Sequence, residues 1–169
     1  MDRFERLASA LRRIPGLEVR ENEPMKRHTT FRIGGPARLM ALPRSRKEAA
    51  AAVRAATEAG IAPFFLGNGS NLLVADHGYE GFVLKACGLD QVREVNRRLR
   101  AESGITLARL ANAALGRGLT GLEFAHGIPG TLGGAVVMNA GAYGGEMKQV
   151  LRSAAVLFPE EGIRTLSCE

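Results

Sequence analysis

Residues 124–145 read FAHGIPGTLGGAVVMNAGAYGG, and this stretch decides which fold the chain can adopt. It contains seven glycines and few charges, a density that argues against an ordinary helix or strand. Because glycine lacks a Cβ, its main-chain N–H groups can approach a ligand closely. A shorter run, LGNGSN at residues 66–71, has the same character. Two such loops in one chain indicate a large, phosphate-bearing cofactor held mainly by backbone.

The composition limits the class of protein. The chain has 169 residues, of which 46% are hydrophobic, enough to bury a core in one domain or two small subdomains. The net charge of +6 comes from scattered arginines, without a basic run interleaved with aromatic residues and without tryptophan. This pattern favours a solvated basic surface that suits anionic small molecules, and we expect no nucleic-acid partner.

Two further patterns indicate where the protein works. The two cysteines, Cys87 and Cys168, lie far apart and show no CxxC spacing, so we expect neither a disulfide nor a zinc site. The N-terminal residues lack the pattern of a signal peptide, and no apolar run approaches the ~20 residues that span a bilayer. We therefore expect a protein of the reducing cytoplasm with no membrane partner and no metal.

The first half of the chain shows a β-β-α-β pattern after an opening amphipathic helix. Ser45 offers a helix N-cap, with Glu48 three residues further on. The predicted segments are a helix over 3–14, strands over 28–33 and 37–42, a helix over 47–59, a strand over 63–66 and extended chain over 71–75.

The second half predicts further strands and one clear helix. These segments are a strand over 82–85, a hairpin around Asn96 and Arg97, a helix over 107–115 capped by Thr106, and strands over 154–158 and 163–166. Residues 76–80 carry the weakest pattern and are expected to join two subdomains, 1–80 and 81–169. The mixture of elements predicts an α+β fold.

Each glycine-rich loop has two interpretations. The loop at Gly67–Asn71 turns consecutive N–H groups toward one point and adds polar side chains, which suits a pyrophosphate, although a plain turn fits equally well. At Gly127–Gly134, Pro129 fixes one φ angle, and the flanking glycines give a rigid surface for a flat cofactor ring. The alternative there is a tight crossing of two chain segments.

Three motifs in order carry a resemblance to a known family. They are HTTFRIGGPA at 28–37, LGNGSNLLV at 66–74 and GLTGLEFAHGIPGTLGGAVVMNAGAYGGE at 118–146. Together they resemble the N-terminal part of the UDP-N-acetylenolpyruvoylglucosamine reductases of peptidoglycan synthesis. Those enzymes belong to the PCMH-type, or vanillyl-alcohol-oxidase-type, FAD-binding proteins.

The resemblance implies a PCMH-type FAD-binding domain of two α+β subdomains without the C-terminal substrate-binding domain. It also implies non-covalent FAD, with no covalent link through His126. The implied pyrophosphate contacts are Gly67, Asn68, Gly69, Ser70 and Asn71, and Leu72 is implied as a further cofactor contact. Those along the diphosphate and flavin are Gly127, Ile128, Pro129, Gly130, Thr131, Gly133 and Gly134. Asn139, Gly141 and Ala142 would lie beside the isoalloxazine, and Tyr143 beside the substrate.

In such a reductase, NADPH reduces FAD, and the flavin passes hydride to the enolpyruvyl group of a UDP-sugar in cell wall biogenesis, on which cell shape and division depend. The family's Tyr-Arg-x-Ser motif, with its catalytic arginine, would lie beyond Glu169. Glu123 and Glu146 flank the glycine-rich stretch, but such glutamates are more often solvated or salt-bridged. We therefore assign no catalytic residue and expect this chain to bind FAD without turnover.

Two other functions fit parts of the sequence. One is an FAD subunit of a hydroxy-acid or alcohol oxidoreductase of the same superfamily, which shares the GTLGG-type loop. The other is a non-catalytic binding module that uses the basic surface. We also expect self-association of this chain, because the exposed edge of its last strand invites pairing with another copy.

Overall fold

A computed structural model describes residues 2–159 and 161–168. The chain divides into two compact units, Met1–Leu89 and Asp90–Glu169. Both units combine helices with strands, so the expected α+β fold class is confirmed.

Unit 1 is built on a four-stranded sheet with the order β1-β2-β4-β3. Its elements are α1 (Arg3–Arg12), β1 (Glu18–Pro24), β2 (Pro36–Leu42), α2 (Arg46–Glu58), β3 (Pro63–Leu66) and β4 (Tyr79–Lys85). β1 is antiparallel to β2, whereas β4 is parallel to both of its neighbours. α2 therefore forms the crossover between β2 and β3, which end at the same edge of the sheet.

Local sequence explains where the two helices begin and what they bury. Asp2 and Glu5 form a capping box at the start of α1, and the Ser45 hydroxyl accepts a hydrogen bond from the Glu48 N–H at the start of α2. The apolar side of α1 is buried in unit 1, including Leu7 and Leu11, which are fully inaccessible. Burial of this stripe rather than helix propensity holds the short α1 in place.

One sequence-based expectation about unit 1 was wrong, and one strand was missed. No strand forms over 28–33, where the chain makes turns and the apolar side chains of Phe31 and Ile33 are exposed. Residues 71–75, expected as extended chain, join no sheet, and Leu72 and Val74 pack on the core. The strand β1 was missed because its alternation is carried by charged residues rather than apolar ones.

The units divide after Leu89, nine residues beyond the boundary expected after residue 80. Strand β4 explains this position. It crosses residue 80 and pairs with both β2 and β3, so those pairings include it in unit 1.

Unit 2 is built from helices and three two-stranded antiparallel sheets. Its helices are α3 (Leu107–Leu115), α4 (Leu132–Met138) and α5 (Met147–Val150). Its strands are β5 (Val92–Val95), β6 (Arg98–Ala101), β7 (Gly141–Ala142), β8 (Gly145–Glu146), β9 (Ser153–Phe158) and β10 (Gly162–Ser167). The strands pair as β5 with β6, β7 with β8 and β9 with β10. A core of Leu107, Ala125, Ala135 and Met147 connects α3, α4 and α5.

The glycine-rich stretch forms more regular structure than its composition indicated. The expectation that it avoids helix and strand was wrong, since α4 lies within it and the small hairpin β7–β8 begins within it. The hairpin turns at Tyr143 and Gly144, both with positive φ angles (53° and 82°), as a two-residue turn of this hand requires.

Among the described residues, no helix has the length and apolar character needed to cross a membrane.

Candidate functional site

In the loop after β3 of unit 1, the packing of the backbone requires one of the glycines. Gly69 is buried with a φ of +64°, and a Cβ there would lie 2.0 Å from the carbonyl oxygen of His28. The Thr30 N–H donates a hydrogen bond of 3.1 Å to the Gly69 carbonyl oxygen. Gly69 is thus required by a crossing of two chain segments.

The polar side chains of the same loop remain available. Asn68 and Asn71 are exposed and Ser70 is half-buried. Within residues 2–159 and 161–168, none of these three side chains has a hydrogen-bond partner. The crossing therefore fixes the loop backbone while leaving amide and hydroxyl groups free to bind a ligand.

A hollow of about 360 Å³ adjoins this loop within unit 1. Its lining comprises three cationic residues, Arg27, Arg32 and Lys85, together with His28, Thr29, Thr30 and Asn68. No lining residue is acidic. Lys85 reaches this place because it pairs in register with Leu66, the last residue of β3 before the loop.

A buried chain of polar groups stands behind the hollow. His28 lies with Nε2 at 2.8 Å from Glu23 Oε1 and Nδ1 at 2.8 Å from Lys85 Nζ. Because an ammonium group only donates, His28 Nδ1 accepts and Nε2 donates to Glu23. Arg20 donates to the same Glu23 oxygen at 2.9 Å.

The titration of these groups follows from their surroundings. Burial lowers the pKa of His28 below its ordinary 6.5, and the Lys85 charge lowers it further against the opposing effect of Glu23. Burial raises the pKa of Glu23, but the hydrogen bonds from His28 and Arg20 outweigh this and bring the pKa below its ordinary range. His28 is therefore a neutral bridge between Lys85 and an already paired carboxylate.

The loop of unit 2 also contains a chain crossing. The Gly133 N–H donates a hydrogen bond of 2.7 Å to the Ser103 carbonyl oxygen, and a Cβ on Gly133 would lie 2.8 Å from Ser103 Cβ. Thr131 is buried and forms an isolated β-bridge with Thr106. Thr131 and Gly133 therefore have packing roles, and the tight-crossing interpretation holds for this part of the loop.

Other glycines in the same stretch have no such packing role. A Cβ on Gly127 would meet no atom within 4 Å, and one on Gly134 would meet only Thr131 Oγ1 at 3.6 Å. Val137 and Met138 on the following helix are 84% and 64% exposed. This part of the loop is an open, side-chain-poor surface beside exposed apolar groups, as a flat ring would require.

The segment after α4 contains the remaining predicted site residues. Asn139 ends the helix at a φ of 44°, and its side chain donates to Glu146 Oε2 at 2.7 Å and accepts from the Lys148 N–H at 2.9 Å. A Cβ on Gly141 would lie 2.7 Å from the Gly145 carbonyl oxygen, so Gly141 allows the hairpin to close. Ala142 is half-buried in that hairpin.

Tyr143 lies at the tip of the hairpin and is 97% exposed. It borders a second hollow, of about 500 Å³, within unit 2. The other lining residues are Gly121, Glu123, Phe124, Gly144, Gly145 and Gln149.

Neither glutamate in this region has the surroundings of a catalytic acid or base. A hydrogen bond from its own backbone N–H, with others from Thr120 and Gly121, lowers the pKa of Glu123. Hydrogen bonds from Lys148 and Asn139 lower the pKa of Glu146, whose carboxylate lies 2.7 Å from Lys148 Nζ. Both groups stabilise local turns as carboxylates.

The hollow with Arg27, Arg32 and Lys85 was missed by sequence reasoning. Single scattered arginines carry no local signal, and His28 was assigned to a strand. Only the register of β3 against β4, together with the turns after β1, brings these residues together.

Comparisons with known proteins identify the family of this chain. The model of the FAD binding domain family matches residues 37–167, and the chain belongs to that family. The chain is 51% identical to UDP-N-acetylenolpyruvoylglucosamine reductase of Caldanaerobacter subterraneus subsp. tengcongensis, over 86% of this chain and 48% of that relative. It is 41% identical to the reductase of that name from Clostridium tetani, over 96% of this chain and 53% of the relative.

A solved structure shows the same likeness. The UDP-N-acetylenolpyruvylglucosamine reductase (MurB) from Thermus caldophilus superposes with a TM-score of 0.72 at 34% identity, over 90% of this chain and 52% of that one. The resemblance inferred from the three motifs is confirmed, as is the FAD-binding fold. The chain spans about half the length of these relatives.

Proposed function

We propose that this chain binds FAD non-covalently as the flavin-binding part of a UDP-N-acetylenolpyruvoylglucosamine reductase. The observation that carries the proposal is the open surface at Gly127 and Gly134, where neither glycine is needed for packing. Membership of the FAD binding domain family supports the choice of cofactor.

We assign the dinucleotide contacts residue group by residue group. Gly67–Asn71 contact the pyrophosphate, with free side chains at Asn68, Ser70 and Asn71 adding donors to those of the backbone, and Leu72 is a further cofactor contact. Gly127–Gly134 lie along the diphosphate and the flavin, with Gly130 and the exposed Pro129 contributing backbone and ring surface.

The next segment supports the ring and the substrate. Gly141 and Ala142 present hairpin backbone to the isoalloxazine. Asn139 acts mainly by holding that backbone, because its amide is already hydrogen-bonded to Glu146 and to the Lys148 N–H. Tyr143 contacts the substrate from its exposed position beside the 500 Å³ hollow.

FAD, when bound, supplies the hydride chemistry, and the protein supplies binding and orientation. In the whole protein we infer NADPH as the reductant and an enolpyruvyl UDP-sugar as the substrate. The reaction would belong to cell wall synthesis in the cytoplasm, on which cell shape and division depend. We assign no catalytic residue within these 169 residues and expect no turnover from them alone.

Titration with FAD, followed by quenching of flavin fluorescence, tests the proposal. The variant Gly127→Leu places a side chain on the open surface and should weaken FAD binding by at least about tenfold while leaving the thermal midpoint in place. Gly116→Leu is the matched control, since Gly116 is also exposed in unit 2 and a Cβ there meets only Asn112 O at 3.5 Å. Equal affinities for the two variants would contradict this assignment.

A further inference from the structure

One face of the β5–β6 hairpin in unit 2 is rich in exposed arginine. The register of the two strands places Arg93 opposite Arg100 and Val95 opposite Arg98. Because side chains alternate along a strand, these four residues lie on the same face of the hairpin. All four are exposed, and Val95 is 43% accessible. We call this surface, formed by these four residues, the arginine face.

The opposite face of the hairpin is the partly covered one. Val92, Leu99 and Ala101 are half-buried on it. Glu94 lies on the same side, with its Oε2 at 3.9 Å from Nε of Arg117, which follows the end of α3. The contacts that hold the hairpin in place therefore leave the arginine face free.

The arginines of this hairpin lower its own stability. Arg93 and Arg100 lie directly opposite each other, where like charges destabilise a sheet. Arg97 occupies the second position of the turn with a φ of 56°, a position at which glycine is strongly preferred. Among residues 2–159 and 161–168, no carboxylate forms an ion pair with Arg93, Arg97, Arg98 or Arg100. The cost of placing these charges together is thus not offset within the described part of the chain.

We propose that the arginine face docks an acidic surface of another protein, with Arg97 at the tip of the hairpin as a further contact. Guanidinium groups bind carboxylates through two parallel N–H donors, which adds geometric specificity to the attraction of opposite charges. The four cationic residues of the hairpin are all arginine, and protein interfaces are enriched in arginine and depleted in lysine. Val95 supplies an apolar contact among the charges.

Other polyanions fit this surface less well. Residues 90–103 contain no aromatic side chain that could stack on nucleic-acid bases or anchor the hairpin at a membrane interface. A second copy of the chain would bring a net charge of +6 against a cationic face. Charge complementarity therefore selects a different protein that presents clustered carboxylates.

The experiment uses a labelled peptide in which glutamate alternates with threonine, and a second peptide with glutamine in place of each glutamate. Fluorescence anisotropy follows the titration of both peptides with the 169-residue chain at low ionic strength. The test variant is Arg98→Gln/Arg100→Gln. The matched control, Arg54→Gln/Arg152→Gln, removes the same charge from two exposed positions outside the hairpin.

The parent chain should bind the glutamate peptide and not the glutamine peptide, with an affinity that falls as salt is added. The hairpin variant should lose at least about tenfold in affinity, whereas the control should bind as the parent does. The thermal midpoint of the hairpin variant should be level or higher, because the repulsion between Arg93 and Arg100 is removed. No binding of the glutamate peptide by the parent, or equal affinities of the two variants, would overturn the proposal.

Two further titrations complete the test. A single-stranded oligonucleotide, or phosphatidylcholine vesicles that contain phosphatidylglycerol, might compete for the same arginines. Tighter binding of either one than of the glutamate peptide, lost in the hairpin variant, would refute a protein partner. The arginine face contains none of the residues that we assign to FAD, so FAD affinity should be equal in the parent and both variants. A chain that binds the peptide through these arginines but takes up no FAD would support the docking surface and refute the proposed function.

Discussion

The carbonyl oxygen of His28 lies 2.0 Å from the point that a Cβ on Gly69 would occupy. This close backbone approach, with the hydrogen bond from the Thr30 N–H to the Gly69 carbonyl oxygen, joins the turns at residues 28–32 to the glycine-rich loop after β3. Both segments are therefore held by one backbone crossing, and the shape of the proposed pyrophosphate site depends on it.

The variant Gly69→Ala tests the crossing. A Cβ there meets backbone atoms that cannot move aside, so we expect a loss of about 1–3 kcal/mol in the free energy of unfolding beyond the cost of the positive φ alone. Gly60→Ala is a matched control, because Gly60 has the same φ of +64° with no atom within 4 Å. It should lose only the about 1–2 kcal/mol of left-handed strain. Equal losses in urea unfolding would show that the crossing is not tight.

Variants of the adjacent residues Gly133 and Gly134 test the packing role and the ligand-binding role of this loop independently. Gly133→Ala should destabilise unit 2 by about 1–3 kcal/mol, because the new Cβ would lie 2.8 Å from Ser103 Cβ. Gly134→Ala adds a helix-favouring residue to α4, so its stability should stay level or rise by up to about 1 kcal/mol, while FAD affinity falls. Thermal unfolding and FAD titration measure the two effects. The assignment fails if Gly134→Ala unfolds more easily than Gly133→Ala.

The His28 chain predicts how stability depends on pH. Because the folded protein has a lowered His28 pKa, the unfolded chain binds more protons once pH falls below 6.5, and the free energy of unfolding should decrease there. The contribution of Glu23 is lost only below its ordinary 4.5, so denaturant unfolding between pH 8 and 5 isolates His28. His28→Gln should flatten this decrease, whereas His126→Gln, which removes an exposed imidazole in unit 2, should keep it. If the free energy of unfolding still decreases in His28→Gln, groups other than His28 cause the decrease.

We still expect two copies of this chain to associate through the last hairpin, β9–β10. β10 pairs with β9 on one side, and the apolar side chains of Ile163 and Leu166 are 64% and 42% exposed. Light scattering should show a mass that rises with concentration, and the double variant Ile163→Lys/Leu166→Lys should restore the monomer. Val95→Lys, on the separate hairpin β5–β6, is the control and should associate as the parent does. A monomer at all concentrations would refute this expectation.

The sequence predicted those parts of the fold that have local signals. The hairpin at Asn96 and Arg97 formed as predicted, because a two-residue turn with positive φ at both positions connects β5 and β6. The caps at Ser45 and Thr106 were also confirmed, since each side chain accepts the N–H of the third residue onward. Such signals lie within a few residues of one another.

The parts that failed depend on distant contacts. Strand β1 carries Glu23, which is buried only because Arg20 and His28 hydrogen-bond to it. Residues 28–33 alternate like a strand, yet Phe31 is exposed and Arg32 turns the chain. The sequence also could not show which glycines are needed for packing and which are open to solvent. The residues that contact Gly69 and Gly133 lie far from them in sequence.

If this chain holds FAD without a covalent bond, as we propose, the flavin content of the purified protein will show it. After incubation with excess FAD and gel filtration, the chain should keep a flavin absorbance spectrum. Denaturation should then release the flavin as intact FAD and leave a polypeptide of unmodified mass. A colourless chain that fails to take up FAD at high micromolar concentration, while circular dichroism shows it folded, would contradict the claim.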